Sequence, residues 1–174
     1  MKYQNKFISF LKRHNIYDKT KYEYLMNNTT FVDIDENANF IGCYYTKNEF
    51  NYITNIKLYI PNFDDDVCVM ICIHEYIHGY IMYDKLNKQY STKASEEVLP
   101  MFYEYLYYLE NENEELKNYR ISTINSIKDE NNFKYILGLI MQDELQQHYK
   151  YDINLLNYLI TKKSPSIVKK LKKH

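Results

Sequence analysis

One segment constrains this chain more than any other: residues 67–80, which read VCVMICIHEYIHGY and interrupt a strongly apolar run with His74, Glu75 and His78. Residues four apart lie one above the other on an α-helix, so the two histidines would present their imidazoles on a single face. Glu75 would lie about 100° further round the same helix. The apolar flanks predict a largely buried helix, and buried ionisable side chains need partners. A metal ion is the simplest partner for this combination.

The spacing His-Glu-x-x-His is the zinc-binding pattern of a large class of hydrolases. Two imidazoles on one helical face match two adjacent vertices of a tetrahedral Zn²⁺ site, and the glutamate can reach a metal-activated water without being a ligand. The chain contains only five histidines. Chance would therefore produce this pattern in about one chain in a hundred of this composition. We predict Zn²⁺ as the cofactor, His74 and His78 as ligands and Glu75 as the general base. The alternative is an amphipathic helix that carries two polar residues at its edge.

A catalytic zinc site needs a third protein ligand and one open coordination position. Asp84 follows His74 by ten residues, which is the spacing of the third ligand in the metzincins. That arrangement requires a glycine at position 81, where the chain turns sharply after the second histidine. Ile81 occupies the position here, and the helical pattern continues beyond it. Asp84 is therefore disfavoured as a ligand.

A glutamate on a following helix is the other source of a third ligand. Glu96 and Glu97 lie eighteen and nineteen residues after His78, near the start of a segment with helical periodicity. Glu97 and Glu104, seven residues apart, fall on nearly one face of that helix, beside its apolar stripe. We predict Glu97 as the third ligand, with Glu96 as the second choice. Glu104 is interpreted as a surface residue or, alternatively, as a hydrogen-bond partner of a ligand.

The remainder of the chain predicts an α+β fold in one domain, with a small antiparallel sheet packed on a mostly helical, zincin-like body. Residues 1–28 are expected to form N-terminal helices, at 3–14 and 19–27. Residues 29–60 are rich in β-branched and aromatic side chains and predict a two- or three-stranded antiparallel meander. Residues 64–174 are expected to form the helical body. Beyond the zinc helix, further helices are predicted over 93–110, 113–127, 131–149, 152–161 and 165–173.

Two prolines mark expected features of the helical body. Pro100 should kink or break the helix predicted over 93–110, because a proline inside a helix removes a hydrogen bond. Pro165 is expected at the first position of the last helix, with Ser164 as its cap. In the sheet, the strand NIKLYI (55–60) would hold a peptide by β-addition if it lies at an exposed edge.

Charge and cysteine content narrow the range of partners. The net charge of −1 provides no long-range field that would attract nucleic acid or an anionic membrane. No segment is apolar for long enough to span a bilayer or to act as a signal peptide. The Lys-rich end (162–173) is interpreted as a solvated helix face. Three cysteines, an odd number, suit a reducing compartment, so we expect a cytoplasmic protein. Cys68 and Cys72 are interpreted as core residues.

Several segments occur in the order found in one peptidase family. The specific ones are HEYIH (74–78) and EVLPMFYE (97–104), and the weaker ones are IGCYYT (41–46), IPNFDDDV (60–67), YILGLIMQDEL (135–145) and SPSIVKKL (164–171). Together they resemble the catalytic core of the thimet oligopeptidase and oligoendopeptidase F peptidases, which are gluzincins. The resemblance implies a zinc metallopeptidase with Glu97 as the third ligand and Tyr135 as a catalytic tyrosine.

The chain departs from this family in several respects. Ile77 stands where the family usually has glycine, and the segment 121–134 lacks the histidine that precedes the family's catalytic tyrosine. Residues 1–40 stand in place of the long helical half that roofs the family's substrate channel. We therefore expect an open site that acts on short or unstructured peptides. His148 is a second candidate for the donor that stabilises the oxyanion, on the helix predicted to carry Tyr135.

Two other functions stay open. Small proteins of the ImmA/IrrE type, which cleave or bind repressors, also run helix, short sheet, HExxH helix and glutamate helix, and this resemblance ranks second. A degenerate peptidase that keeps zinc as a binding or regulatory module is favoured by the missing histidine and opposed by the intact Glu75. The predicted reaction is hydrolysis of a peptide bond by a metal-activated water, with Glu75 passing the proton to the leaving amine. These motifs specify neither the substrate sequence nor the oligomeric state.

Overall fold

The computed structural model describes residues 1–33, 41–129, 132–149 and 153–171. Contacts group the chain into two compact units, Met1–Thr92 and Lys93–His174. The first unit contains a small sheet with helices, and the described part of the second unit is helical. This combination confirms the predicted α+β class. Within the described ranges, no helix is both long enough and apolar enough to cross a membrane.

The first unit begins with two short helices, which a sheet and a longer helix follow. The helices predicted over 3–14 and 19–27 are confirmed to within one residue. Asp18 caps the second of them, because its carboxylate accepts a hydrogen bond from the Lys21 backbone N–H at 2.9 Å. In chain order the elements are α1 (Lys2–Arg13), α2 (Lys19–Asn27), β1 (Thr29–Val32), β2 (Gly42–Lys47), β3 (Ile53–Pro61) and α3 (Asp66–Tyr83).

The sheet is mixed, so the predicted antiparallel meander is wrong in its topology. β2 pairs antiparallel with β3, as expected, whereas β1 pairs parallel with β3 on its other side. β3 takes the centre because it is the longest and most apolar strand, with Ile56, Leu58 and Ile60 fully buried. β1, which comes directly after α2 in the chain, pairs with the other edge of β3. The segment NIKLYI therefore lies in the central strand, with β2 along one side and β1 along the other from Leu58 onward. The Ile56 N–H donates a hydrogen bond to the Tyr24 hydroxyl, so the segment is not an exposed edge for peptide addition. Residues 34–40 of the predicted sheet region lie outside the described ranges.

α3 carries the His-Glu-x-x-His motif and is buried over most of its surface. Asp65 caps its start, since its Oδ1 accepts a hydrogen bond from the Cys68 backbone N–H at 2.7 Å. The helix packs against β3 and against α1 and α2. Cys68 and Cys72 are confirmed as core residues, 4% and 0% exposed, and the Cys72 thiol donates a hydrogen bond to the Pro61 carbonyl. The predicted burial of the motif helix is confirmed.

The described elements of the second unit are α4 (Val98–Glu110), α5 (Glu114–Asp129), α6 (Phe133–Gln146) and α7 (Ile153–Leu171). α4 begins at Val98, five residues later than predicted. Pro100 therefore falls in its first turn, where backbone N–H groups have no partner within the helix. For this reason the expected break does not occur, and α4 is continuous through Pro100. The helices predicted over 113–127 and 131–149 are confirmed with shifted ends.

α7 runs unbroken through Pro165, so the prediction of two helices, 152–161 and 165–173, is wrong. A proline inside a helix costs about 3 kcal/mol. Burial of an aliphatic side chain contributes about 1.5–3 kcal/mol, so a few such residues outweigh this cost. Ser164 does not cap a new helix, because its Oγ donates to the Ile160 carbonyl at 2.6 Å. Residues 152, 172 and 173, with two lysines of the Lys-rich end, lie outside the described ranges. The buried side of α7 comprises Ile153, Leu156, Ile160 and Ser164.

α4 and α6 lie side by side and run in the same direction. Near their starts, Lys134 of α6 forms an ion pair with Glu96, which lies just before α4. One turn further along, Gly138 faces the Met101 side chain. In the following turn, Gln142 Nε2 donates a hydrogen bond to the Met101 carbonyl at 3.3 Å. The step from the Glu96–Lys134 pair to the Met101–Gly138 contact advances along both segments, so α4 and α6 begin at the same end of the second unit.

Candidate metal centre

The two histidines of the motif lie side by side on α3. Their ring centroids are 5.0 Å apart, as expected for residues one helical turn apart. His74 is 9% exposed and His78 is half-buried. Ile73 and Ile77, which precede the two histidines, are fully buried on the same helix. Two imidazole nitrogens from one helical face can bind a single Zn²⁺ ion.

Glu75 follows His74 on the helix and is half-buried. Its charge reaches Cys43 on β2: burial raises the pKa of the Cys43 thiol, and the Glu75 carboxylate raises it further. Cys43 pairs with Leu58 in the sheet, and Leu58 is fully buried, so both side chains lie on the covered face. Glu75 is therefore on the side of α3 that is nearest to β2.

Asp84 does not join the histidines. α3 continues to Tyr83 without a sharp turn, and Asp84 is its C-cap residue. At 1.5 Å per residue, Asp84 lies about 15 Å along the helix axis from His74. Its carboxylate instead accepts a hydrogen bond from Lys21 Nζ at 2.7 Å. The continuous helix through Ile81 confirms the sequence argument against a metzincin-like third ligand.

Glu96 and Glu97 lie in the turn that leads into α4. Glu97 is the N-cap residue, although its side chain does not cap the helix. Glu96 is engaged within the second unit: its Oε1 accepts a hydrogen bond from the Lys93 backbone N–H at 2.9 Å, and its Oε2 accepts one from Lys134 Nζ at 3.3 Å. Both carboxylate oxygens of Glu96 are therefore hydrogen-bonded within the second unit.

One group of histidine and carboxylate side chains among the described residues has the spacing of a metal site: His74, His78 and Glu97. One ligand atom from each can be chosen so that all three atoms lie within 4.8 Å of one another. Two imidazole nitrogens and one carboxylate oxygen form a ligand set that Zn²⁺ accepts, with a fourth position left for water or substrate. These residues therefore fit a zinc ion by their number, chemical type and spacing.

The two candidates for the oxyanion donor lie at opposite ends of α6. Tyr135 is half-buried in the first turn of the helix, immediately after Lys134, whereas His148 lies two residues beyond its last turn. Thirteen residues separate them, which corresponds to about 20 Å along a helix axis. Since α4 and α6 begin at the same end of the second unit, Tyr135 is near the Glu97 end of that unit and His148 is not.

Glu104 belongs to a polar cluster that the sequence patterns did not identify. Arg120 of α5 lies over the Tyr105 ring, 4.4 Å from its centroid, and donates a hydrogen bond to Gln142 Oε1 at 2.7 Å. Burial lowers the pKa of the Arg120 guanidinium, and the nearby Glu104 carboxylate acts in the opposite direction. Glu104 is half-buried rather than a surface residue, and its negative charge favours the charged form of Arg120. The sequence feature that could have indicated this cluster is the rarity of arginine, since Arg120 is one of only two arginines in the chain.

Comparison with known proteins adds no relative. No protein-family model, curated protein or solved structure matches this chain. The resemblance to the gluzincin peptidases stays a prediction that is based on the HEYIH and EVLPMFYE segments.

Proposed function

We propose that the protein is a zinc-dependent peptidase that binds its metal through His74, His78 and Glu97. One observation carries the proposal: a His-Glu-x-x-His motif lies on a buried helix, and its histidines and a downstream glutamate offer ligand atoms within 4.8 Å of one another. Imidazole nitrogens and carboxylate oxygens are ligand types that Zn²⁺ accepts, and two imidazoles with one carboxylate leave a coordination position open for water. The gluzincin resemblance predicts the same three ligands.

Two further side chains would handle the proton and the developing charge. A zinc ion held at this site supplies a Lewis acid that activates water and polarises a carbonyl group. Glu75 accepts a proton from the attacking water and returns it to the leaving amine. Tyr135 donates a hydrogen bond from its hydroxyl group to the carbonyl oxygen as negative charge develops there. Its position in the first turn of α6 supports this role, which the resemblance also implies.

An extended peptide is the substrate class that the sheet favours. Among the described strands β2 lies at an edge of the sheet, so its outward backbone N–H and C=O groups can pair with an added strand. The Glu75 charge raises the pKa of Cys43, which is a residue of β2. This supports a position of β2 close to Glu75, the proposed general base. We propose that β2, rather than the central NIKLYI strand, binds the substrate. Such a substrate must be short or unstructured, because only an extended segment can pair with a strand.

The proposed location is the cytoplasm, where a reducing environment keeps cysteines as thiols. This agrees with the free state of Cys43, Cys68 and Cys72. Two alternative functions share the same zinc ligands. A protease of the ImmA/IrrE type would differ in its substrate, which would be a repressor protein. A binding or regulatory module would retain the metal without cleaving peptides.

The test compares the native protein with Glu75→Gln on a broad library of quenched fluorescent peptides, after both proteins have been loaded with zinc. Glutamine keeps the size and hydrogen-bonding reach of glutamate but cannot accept a proton at neutral pH. We expect equal zinc content and a loss of cleavage rate of about 100-fold or more. Equal rates would show that Glu75 is not the base. Zinc binding without any cleavage by the native protein would support the binding module, and cleavage restricted to a repressor protein would support the ImmA/IrrE alternative.

A further inference from the structure

We infer that Lys134 and Glu96 form a positioning pair that holds Glu97 and Tyr135 at one end of the second unit. The roles of Glu97 and Tyr135 rest on the proposed function, whereas the pair itself is defined by contacts within the second unit. Glu96 immediately precedes Glu97, and Lys134 immediately precedes Tyr135. One ion pair therefore joins the chain neighbours of two proposed site residues.

Glu96 orders the backbone that carries Glu97. Its Oε1 accepts a hydrogen bond from the Lys93 backbone N–H at 2.9 Å, so the side chain folds back over the turn before α4. Two backbone hydrogen bonds close the same turn, from Glu96 N–H to the Lys93 carbonyl at 3.3 Å and from Val98 N–H to the Ser95 carbonyl at 3.2 Å. The direction in which the Glu97 side chain leaves the backbone depends on this turn.

Lys134 connects the turn to α6. Its Nζ donates a hydrogen bond to Glu96 Oε2 at 3.3 Å. The Glu96 side chain is 13% exposed and the Lys134 side chain 42%, so the carboxylate is shielded while the ammonium group still reaches water. Removal of a cation that balances a shielded carboxylate destabilises the arrangement around it. Without Lys134, we expect the turn to rearrange until Glu96 is hydrated, and Glu97 moves with it.

The middle of the α4–α6 contact is held by other residues. Met101 packs against Gly138, and the Met101 carbonyl accepts the hydrogen bond from Gln142. These contacts are independent of Lys134, so its replacement should change the first turns without separating the helices. A positioning defect can therefore be distinguished from a folding defect by measuring thermal unfolding of each variant.

The test measures zinc affinity of the complete protein by competition with a chromogenic chelator. Lys134→Met and Glu96→Gln should each bind zinc about tenfold more weakly, at the low end of the effects seen for groups that orient metal ligands. The double variant should be no weaker than either single variant, because both remove the same contact. Lys134→Arg should bind zinc as the native protein does. Lys163→Met removes a different ion pair of α6, with Glu144, and is the matched control that should leave zinc affinity unchanged.

Hydrogen exchange of the backbone amides in 93–98 gives a second readout that does not require zinc. Faster exchange of the Lys93 amide in metal-free Lys134→Met would show that the pair orders the turn. Unchanged exchange, or native zinc affinity in both single variants, would overturn the positioning role while the zinc site itself stands. A native protein that binds no zinc would overturn the proposed function, and the exchange rates would then still decide whether Lys134 orders the turn.

Discussion

Replacing Gly138 with alanine should destabilise the protein, even though alanine is the better helix former. Gly138 lies where α4 and α6 approach each other, and a Cβ atom there would be 2.3 Å from Met101 Sδ. The Met101 side chain is 5% exposed, so it has little space into which it could move. Overpacking a core costs about 1–3 kcal/mol, and the gain in helix propensity offsets about 1 kcal/mol of it. The expected net loss in the free energy of unfolding is about 1 kcal/mol.

The assay is urea unfolding followed by circular dichroism. With a slope of about 1–3 kcal/mol per molar urea, this loss should lower the midpoint by several tenths of a molar or more. The decisive comparison repeats Gly138→Ala in a Met101→Ala background. There the new methyl group enters the space that the sulfur vacated, so the same substitution should become stabilising. An equal loss in both backgrounds, or no loss in the native background, would refute the packing argument.

Three further outcomes are expected. Pro165→Ala should raise the free energy of unfolding by about 2 kcal/mol, most of the cost of a proline inside a helix, and an unchanged urea midpoint would contradict this. Burial and the Asp65 carboxylate raise the pKa of the Cys68 thiol to about 11, so it should react slowly with a disulfide reagent at pH 8 and faster towards pH 11, because the thiolate is the reactive form. Rapid reaction of Cys68 at pH 8 would contradict a buried thiol beside the Asp65 carboxylate. Tyr135→Phe should lower kcat by about 100-fold with unchanged zinc content, whereas His148→Ala should affect neither, and the reverse pattern would make His148 the donor.

The motif helix could be predicted because its determinants are local. Asp65 at the cap, the apolar residues that follow and the spacing of His74 and His78 all lie within α3. Asp84 lies apart from the histidines for a local reason as well, since the helix continues through Ile81. Such features are visible in sequence because a helix is defined by contacts between residues a few positions apart.

The sequence-based predictions of α7 and of the sheet topology were wrong because contacts between distant residues override local sequence signals. The Ser164–Pro165 pair has the sequence of a helix start, yet α7 continues through it because its apolar side is buried against the rest of the second unit. The parallel pairing of β1 follows from competition for the edges of β3, which strand patterns alone do not reveal. The contact between Lys134 and Glu96, 38 residues apart, likewise appears only after α4 and α6 are packed.

The zinc content of the purified native protein and of His78→Ala tests the proposed metal centre most directly. Elemental analysis should find about one zinc per chain in the native protein, because a site of two histidines and one glutamate binds zinc tightly at neutral pH. His78→Ala should lose the metal, since only His74 and Glu97 would remain as ligands, whereas Asp84→Ala should retain it. A native protein that takes up no zinc, or a His78→Ala variant that keeps a full equivalent, would contradict the site.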